Sequence, residues 1–225
     1  MDIKSHNKKV AIIRWNKIHK KEKALINNNP ILKARICGYL AGDGNILIRK
    51  LNNNPTHYIT RFYPDHISLV NSFREAFIKI YKKEPKIKDN GNFFSLTIYS
   101  KIVVEDLLKL GNFGKLEWRA PMKILKSKNA KKEWLRAIYD CEGYVGKKQI
   151  KIQTVNEKGI GDIKRLLNEF NIDSKNYIYQ PKNKKWNIVY ILIINKKSER
   201  IKFLNEIGFN HTSKMEKLKK IAAIA

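Results

Sequence analysis

The stretch that decides the fold is residues 36–45, ICGYLAGDGN, and a second stretch of the same kind, LRAIYDCEGY, occupies residues 135–144. In both, small residues four positions apart precede an acid and a glycine. On a helix such small residues share one face, so two of these helices can approach backbone to backbone and bring their terminal acids together. The glycine after each acid is typical of a helix end. Four pairs match at one offset of 99 residues: Gly38 with Ala137, Gly42 with Cys141, Asp43 with Glu142 and Gly44 with Gly143.

The match between the two halves extends beyond these stretches. Lys115 lies 72 residues after Asp43, and Lys214 lies 72 residues after Glu142. Residues 59–77 align with residues 152–170 at an offset of 93, which leaves six extra residues, 51–56, after the first motif. The pairs Leu110-Gly111 and Ile207-Gly208 close the two units. The sequence therefore predicts an internal repeat that covers about residues 30 to 222.

The two stretches resemble the motif of the LAGLIDADG homing endonucleases, in the form that carries two copies in one chain. The acid and the closing glycine fit in both copies. Ala41 stands where the family motif has its first aspartate, and Arg136 and Ala137 replace a small Ala-Gly pair. The resemblance implies an α+β fold, in which two pseudo-symmetric αββαββα units form a saddle-shaped antiparallel sheet with helices on one face.

Local patterns predict the elements of each unit. Alternating apolar and polar residues at 45–50 and 93–99, with the turn residues 89–91, predict β-hairpins. Helices on one face of the sheet leave the other face free for a ligand. We divide the chain into a basic N-terminal extension (1–30), a first repeat (31–118), a linker (119–128) and a second repeat (129–225).

The charge of the chain favours a polyanionic partner. Lys and Arg number 47 against 20 Asp and Glu, which gives a formal charge of +27 and a pI of about 10.0. Such a field attracts nucleic acid by steering and by counterion release. A ribosomal-type protein, or a merely lysine-rich protein from an AT-rich genome, is the alternative. Membrane association is disfavoured, because no apolar run approaches the ~18 residues that span a bilayer.

The two cysteines, Cys37 and Cys141, lie inside the motif helices. They are interpreted as small packing residues, which is typical of a reducing compartment. We therefore expect an intracellular location, either the cytoplasm of a prokaryote or an organelle matrix. A zinc site is disfavoured because the five histidines are scattered and none lies at ligand spacing to a cysteine.

Residues 1–33 carry nine Lys and Arg against two Asp and Glu. Residues 10–26 predict one basic amphipathic helix, which the run Asn27-Asn28-Asn29-Pro30 ends. The extension is interpreted as an added DNA-contacting arm. A packing extension and a frayed tail are the alternatives.

Asp43 and Glu142 are the predicted catalytic pair. Hydrolysis of a phosphodiester needs an activated water and neutralised charge on the leaving oxygen, and divalent ions on carboxylate oxygens supply both. The resemblance implies Mg²⁺ or Mn²⁺, held by these two acids and by the backbone carbonyls of Gly42 and Cys141. Alternatively, the two acids only mark helix ends. The resemblance also implies active-site lysines that stabilise phosphoryl charge: Lys115 and Lys214.

The free sheet face is the predicted DNA-binding surface. A two-stranded ribbon fits the major groove, where Arg and Lys read guanine and Gln or Asn reads adenine. A solvated sheet face is the alternative for each residue, and the tyrosines Tyr58, Tyr63, Tyr177 and Tyr179 are interpreted as packing or strand-forming residues. The candidates for DNA contact are Arg49, Arg61, Lys86, Lys88, Lys148, Lys151, Gln153, Gln180, Lys182 and Lys184.

Together these features predict a monomeric, sequence-specific DNA endonuclease that binds a long asymmetric double-stranded target. The family resemblance implies a staggered double-strand cut by metal-dependent hydrolysis. An intron-encoded RNA maturase and a non-cutting nucleic-acid-binding protein of the same fold are the alternatives, and retention of both acids favours cutting. An origin in an intein is disfavoured, because the chain opens with Met1 and shows no flanking splicing block.

Overall fold

A computed structural model describes residues 3–51, 54–114, 116–183 and 185–223, so the predicted site residues Lys115 and Lys184 lie outside the described residues. Helices and strands alternate as the sequence predicts. The elements are α1 (Ile3–Ala24), α2 (Pro30–Asp43), β1 (Gly44–Leu51), β2 (Asn54–Phe62), α3 (Ile67–Tyr81), β3 (Lys86–Asp89), β4 (Phe94–Tyr99), α4 (Lys101–Leu108), α5 (Lys128–Glu142), β5 (Gly143–Val145), β6 (Ile150–Thr154), α6 (Glu157–Glu169), β7 (Lys175–Tyr179), β8 (Val189–Ile194), α7 (Lys197–Glu206) and α8 (Thr212–Ala223).

Both motif helices begin at side-chain caps and end at their acids. The Asn29 side chain accepts hydrogen bonds from the backbone N–H groups of Ile31 and Leu32, and Pro30 occupies the first turn of α2, where its missing N–H costs nothing. The Ser127 hydroxyl accepts from the Ala130 N–H at the start of α5. Because a strand follows each acid directly, Asp43 and Glu142 lie where helix turns into sheet.

The strands form two four-stranded antiparallel sheets, in the order β1-β2-β4-β3 for the first sheet and β5-β6-β8-β7 for the second sheet. Among the described strands no hydrogen-bonded pairing joins the two sheets, so the antiparallel surface consists of two matching parts. The predicted α+β class with two αββαββα units is confirmed.

The strand register corrects the alignment of the two repeats. Phe62 pairs with Gly44 in the first sheet, and Ile152 pairs with Gly143 in the second sheet, which is an offset of 90 residues between the repeats rather than 93. Phe62 lies 18 positions after Gly44 and Ile152 lies nine after Gly143, so the first hairpin is nine residues longer, not six. Because side chains alternate between the two faces of a strand, an alignment error of three residues assigns each residue of β2 to the wrong face. Ile59 is apolar, so the sequence pattern did not reveal this error.

Helices cover one face of each sheet, and the opposite face, here called the outer face, is open. Phe62 and Leu96 form a pair on the helix-covered face and are fully buried, whereas Arg61 and Thr97 form a pair on the outer face and are partly exposed. Aromatic rings pack against each other within the core of the first repeat. The ring of Phe62 stacks on Phe73, with 4.8 Å between the ring centroids.

The N-terminal extension forms α1, which contacts the first repeat at a few points. The Lys101 ammonium lies 4.7 Å from the centre of the Trp15 ring, and Glu22 forms a 2.8 Å ion pair with Lys83. Ile13 on the same helix is 67% exposed. In the described part of the chain no helix is long and apolar enough to cross a membrane.

The linker is fixed to the second repeat. Arg119 donates two hydrogen bonds, of 2.7 and 3.0 Å, to the carboxylate of Asp162 on α6. The Trp118 ring fills the space above Gly159, where an added Cβ would lie 2.5 Å from the ring. This anchoring holds the segment between the repeats against the helix layer.

Candidate active site between the two repeats

The two motif helices, α2 and α5, pack against each other through the small residues that the sequence singles out. A Cβ added to Gly38 would lie 2.7 Å from the Cβ of Ala137, and one added to Gly42 would lie 2.4 Å from the Cβ of Cys141. The predicted backbone-to-backbone approach is therefore present. It brings the carboxyl ends of α2 and α5 together, with one acid from each repeat.

The pKa values of both acids are raised, and Asp43 contributes to the rise at Glu142. Burial, followed by the negative charge of Asp43, raises the pKa of Glu142 to about 7, and Lys214 partly opposes this rise. Burial also raises the pKa of Asp43, while a hydrogen bond from Cys141 lowers it and the charge of Asp65 raises it. Two carboxylates that both resist ionisation form a site that favours a cation.

Asp140, the residue that the family motif expects and that Ala41 replaces in the first copy, ties α5 to α8. Its buried carboxylate accepts hydrogen bonds from the backbone N–H groups of Asn210 at 2.9 Å and His211 at 3.0 Å, just before α8 begins. The Tyr39 hydroxyl donates to it at 3.2 Å. Burial raises the pKa of Asp140 to about 6 despite these bonds.

The anchored start of α8 positions Lys214. Its ammonium donates hydrogen bonds to the carbonyl oxygens of Asp140 and, at 3.1 Å, of Cys141, at the carboxyl end of α5. A cation is favoured at this end of a helix, where the macrodipole is negative. The predicted lysine of the second repeat therefore lies beside Glu142, and one of its two carbonyl partners, that of Cys141, is a predicted metal ligand.

The residues fit a divalent ion. Hard cations prefer carboxylate and carbonyl oxygens, and the two acids with the carbonyls of Gly42 and Cys141 offer these at one place. Burial and the charge of Asp43 raise the pKa of Glu142, and a bound dication would offset both effects. Among the described residues no group of three or more His, Cys, Asp or Glu side chains could hold a metal ion, so backbone oxygens must complete such a site.

A cavity of about 500 Å³ opens beside Glu142. Glu142, Gly42 and Gln153 line it, together with Asn45, the second residue after Asp43. The Asn45 side-chain oxygen is buried and has no hydrogen-bond partner in the described part of the chain. Gln153, predicted to read bases, thus lines the same cavity as Glu142.

The predicted basic residues of the first sheet share its outer face. The register aligns Asn45, Arg61, Thr97 and Lys86 in one row across the four strands. Side chains two positions apart share a face, which puts Arg49 and Lys88 on the same side. All four predicted cations of the first sheet thus face outward.

The second sheet has an equivalent row of Tyr144, Lys151, Ile193 and Lys175. The Lys151 ammonium lies 5.7 Å from the centre of the Tyr144 ring. Three other predicted contact residues, all exposed, lie in turns rather than in strands: Lys148 between β5 and β6, and Gln180 and Lys182 after β7.

Lys175 on β7 was missed among the predicted DNA-contact residues. Lys175 occupies the position equivalent to Lys86, because Lys86 pairs with Thr97 and Lys175 pairs with Ile193 in the matching row. Tyr177 and Tyr179, interpreted as packing or strand-forming residues, lie on the strand and are 47% and 56% exposed, so they form a strand without packing in the core. The alternation of Lys175, Tyr177 and Tyr179 along the strand was the available signal.

Comparison with known proteins agrees with this architecture. The family description of a LAGLIDADG-like domain matches residues 129–208. A structure of mesophilic variants of the homing endonuclease I-DmoI superposes with a TM-score of 0.63 at 21% identity, over 80% of this chain and 92% of that one. The structure of I-DmoI in complex with DNA and Mn superposes with a TM-score of 0.62 at 20% identity, over 80% of this chain and 97% of that one.

The second repeat therefore matches a LAGLIDADG-like domain, and the chain, with its two repeats in one polypeptide, has the fold of I-DmoI. A curated relative from Methanocaldococcus jannaschii, the isomerizing glutamine-fructose-6-phosphate aminotransferase, is 30% identical over 195 residues. That match covers 83% of this chain but only 17% of the relative. The chain thus spans less than a fifth of the length of that relative.

Proposed function

We propose that this protein is a sequence-specific DNA endonuclease that makes a staggered double-strand break by metal-dependent phosphodiester hydrolysis. The observation that carries the proposal is the meeting of Asp43 and Glu142 at the ends of two closely packed helices, between two outward-facing rows of cations. The likeness to I-DmoI, which has been crystallised with DNA and with Mn, supports it.

Each group has a role in the proposed reaction. Asp43 and Glu142, with the carbonyls of Gly42 and Cys141, would hold Mg²⁺ or Mn²⁺, which activates water and neutralises the leaving oxygen. Lys214 holds its ammonium beside Glu142 and stabilises negative charge that develops on the phosphoryl group. The outward-facing cations neutralise phosphates on both sides of the site.

The target follows from the asymmetry of the chain. Because one polypeptide supplies two similar but unequal sheets, a monomer would bind a long duplex site without a palindrome. The first hairpin, nine residues longer, would extend further from the cut than the second. The free thiols of Cys37 and Cys141 agree with action inside a reducing compartment.

The proposal is tested by incubating the protein with a randomised DNA library and Mg²⁺ and sequencing the cut ends. Asp43→Asn and Glu142→Gln should each abolish double-strand cleavage and leave specific binding within about tenfold, because each substitution removes a carboxylate charge and keeps the shape. Glu75→Gln is the matched control, since this exposed acid lies on α3 in the helix layer. Full cleavage by either active-site variant, or cleavage in EDTA, would refute the assignment.

A nucleic-acid-binding protein of the same fold that does not cut, or an RNA maturase, is the second candidate. The position of Lys214 favours it, because this ammonium already donates to the Cys141 carbonyl that a metal ion would use. Lys214→Met separates the two functions. Loss of cleavage with retained binding supports a catalytic lysine, whereas tight binding without cleavage by the unmodified protein supports the non-cutting alternative.

A further inference from the structure

The outer faces of the two sheets differ in chemistry at equivalent positions. The buried residues Leu96 and Leu192 pair with Phe62 and Ile152, so β4 and β8 align at an offset of 96 residues. At this offset, hydroxyl side chains in the first sheet correspond to isoleucines in the second: Ser95 to Ile191 and Thr97 to Ile193.

These isoleucines belong to a continuous apolar surface, the β7–β8 patch, which consists of Tyr177, Tyr179, Val189, Ile191 and Ile193. Tyr177 pairs with Ile191 and Tyr179 pairs with Val189 across the two strands, which places all five side chains on the outer face. The whole of β7 is exposed, and it lies at the sheet edge. Large apolar side chains at an exposed edge are a liability unless a partner covers them.

The surroundings of the β7–β8 patch favour duplex DNA as that partner. Lys175 on β7 and Lys151 on β6 lie on either side of Ile193, with which both pair. Exposed Lys182 follows β7. Cations around an apolar centre suit a polyanion that presents apolar groups. In the major groove only thymine offers such a group, its 5-methyl, and apolar side chains read it.

We propose that the β7–β8 patch recognises thymine methyl groups in the half of the target that lies under the second sheet. The equivalent hydroxyls of the first sheet read their half by hydrogen bonds instead. This inference rests on the proposed function, because it requires a specific DNA target. It adds that one half of the target must contain thymine.

The test uses the unmodified protein. Preferred sites are selected from random duplexes with Ca²⁺ in place of Mg²⁺, and thymines are then replaced by deoxyuridine in one half at a time, which removes only the methyl groups. Photo-crosslinking of 5-bromodeoxyuridine, with mapping of the linked peptide, shows which half lies against Tyr177 and Tyr179. We expect deoxyuridine to weaken binding about fourfold for each buried methyl in that half, and less than about twofold in the other half.

Ile193→Thr is the matched variant, because it gives the second sheet the side chain that the first sheet carries at Thr97 and keeps the β-branch. It should bind the deoxyuridine site as tightly as the unmodified protein does and lose the preference for thymine. Equal effects of deoxyuridine in both halves, or a selected half-site without thymine under the second sheet, would overturn this inference but not the proposed function. A chain that selects no sequence would overturn the proposed function as well.

Discussion

The contact between α2 and α5 predicts opposite effects for two identical substitutions. At Gly38 an added Cβ would lie 2.7 Å from the Ala137 Cβ and from the Trp134 carbonyl oxygen, and neither atom can rotate away. At Gly161 on α6 an added Cβ meets nothing within 4 Å. Alanine gains about 1 kcal/mol of helix propensity at both sites, so the difference between Gly38→Ala and Gly161→Ala isolates the clash.

Overpacking of this kind costs about 1–3 kcal/mol. For a chain of this size each kcal/mol changes the melting temperature by about 2–4 °C. Gly161→Ala should therefore melt about 2–4 °C above the unmodified protein, and Gly38→Ala should melt about 2–12 °C below Gly161→Ala. Thermal unfolding followed by circular dichroism, without DNA, measures both. If the two variants melt within about 1 °C of each other, the helices do not approach as closely as argued.

Two further predictions concern charge. The pKa of Glu142 is raised from 4.5 to about 7, so the folded state favours the protonated acid, and its contribution to stability is complete below pH 4.5 and is lost as the pH rises through 7. In urea unfolding, Glu142→Gln should be more stable than the unmodified protein at pH 8, by about 1–2 kcal/mol after allowance for solvent screening. At pH 4 the two proteins should be equally stable. A difference in stability that stays constant at all pH values would contradict this cause. Binding to a selected duplex should weaken with salt, with a slope of log K against log salt steeper than about −3, and Lys151→Gln should make that slope shallower by about 1 while Lys79→Gln in the helix layer leaves it unchanged. A slope near zero would mean that the charge does not face the DNA.

Much of the fold could be predicted from sequence because the motif helices are defined by local rules. Asn29 with Pro30, and Ser127, lie at the starts of α2 and α5, and Gly44 and Gly143 follow their ends, so local residue types are enough to mark both helices. Hydrophobic alternation likewise predicted the strands. The error in the alignment arose in β2, where apolar residues occur on both faces near Ile59 and the pattern alone allows two registers.

The functional surface could be predicted only in part. The outward direction of Arg61 and Lys86 followed from alternation, but their alignment in one row required the pairing of β2 and β3 with β4. The exposure of Tyr177 depends on the position of β7 at the sheet edge. Strand order is set by contacts between residues distant in sequence, which local patterns do not encode.

The sequence by itself determined the duplicated motif, the pairing of Asp43 with Glu142 and the basic character of the chain, because each is a matter of residue type and spacing. Only the tertiary structure decided the electrostatics of the site. The raised pKa of Glu142 needs its own burial and the charge of Asp43 from the other repeat, and Lys214 reaches the end of α5 because Asp140 fixes the start of α8. The burial of an acid and its distance to other charges depend on how segments distant in sequence pack together, so they cannot be obtained before the fold is known.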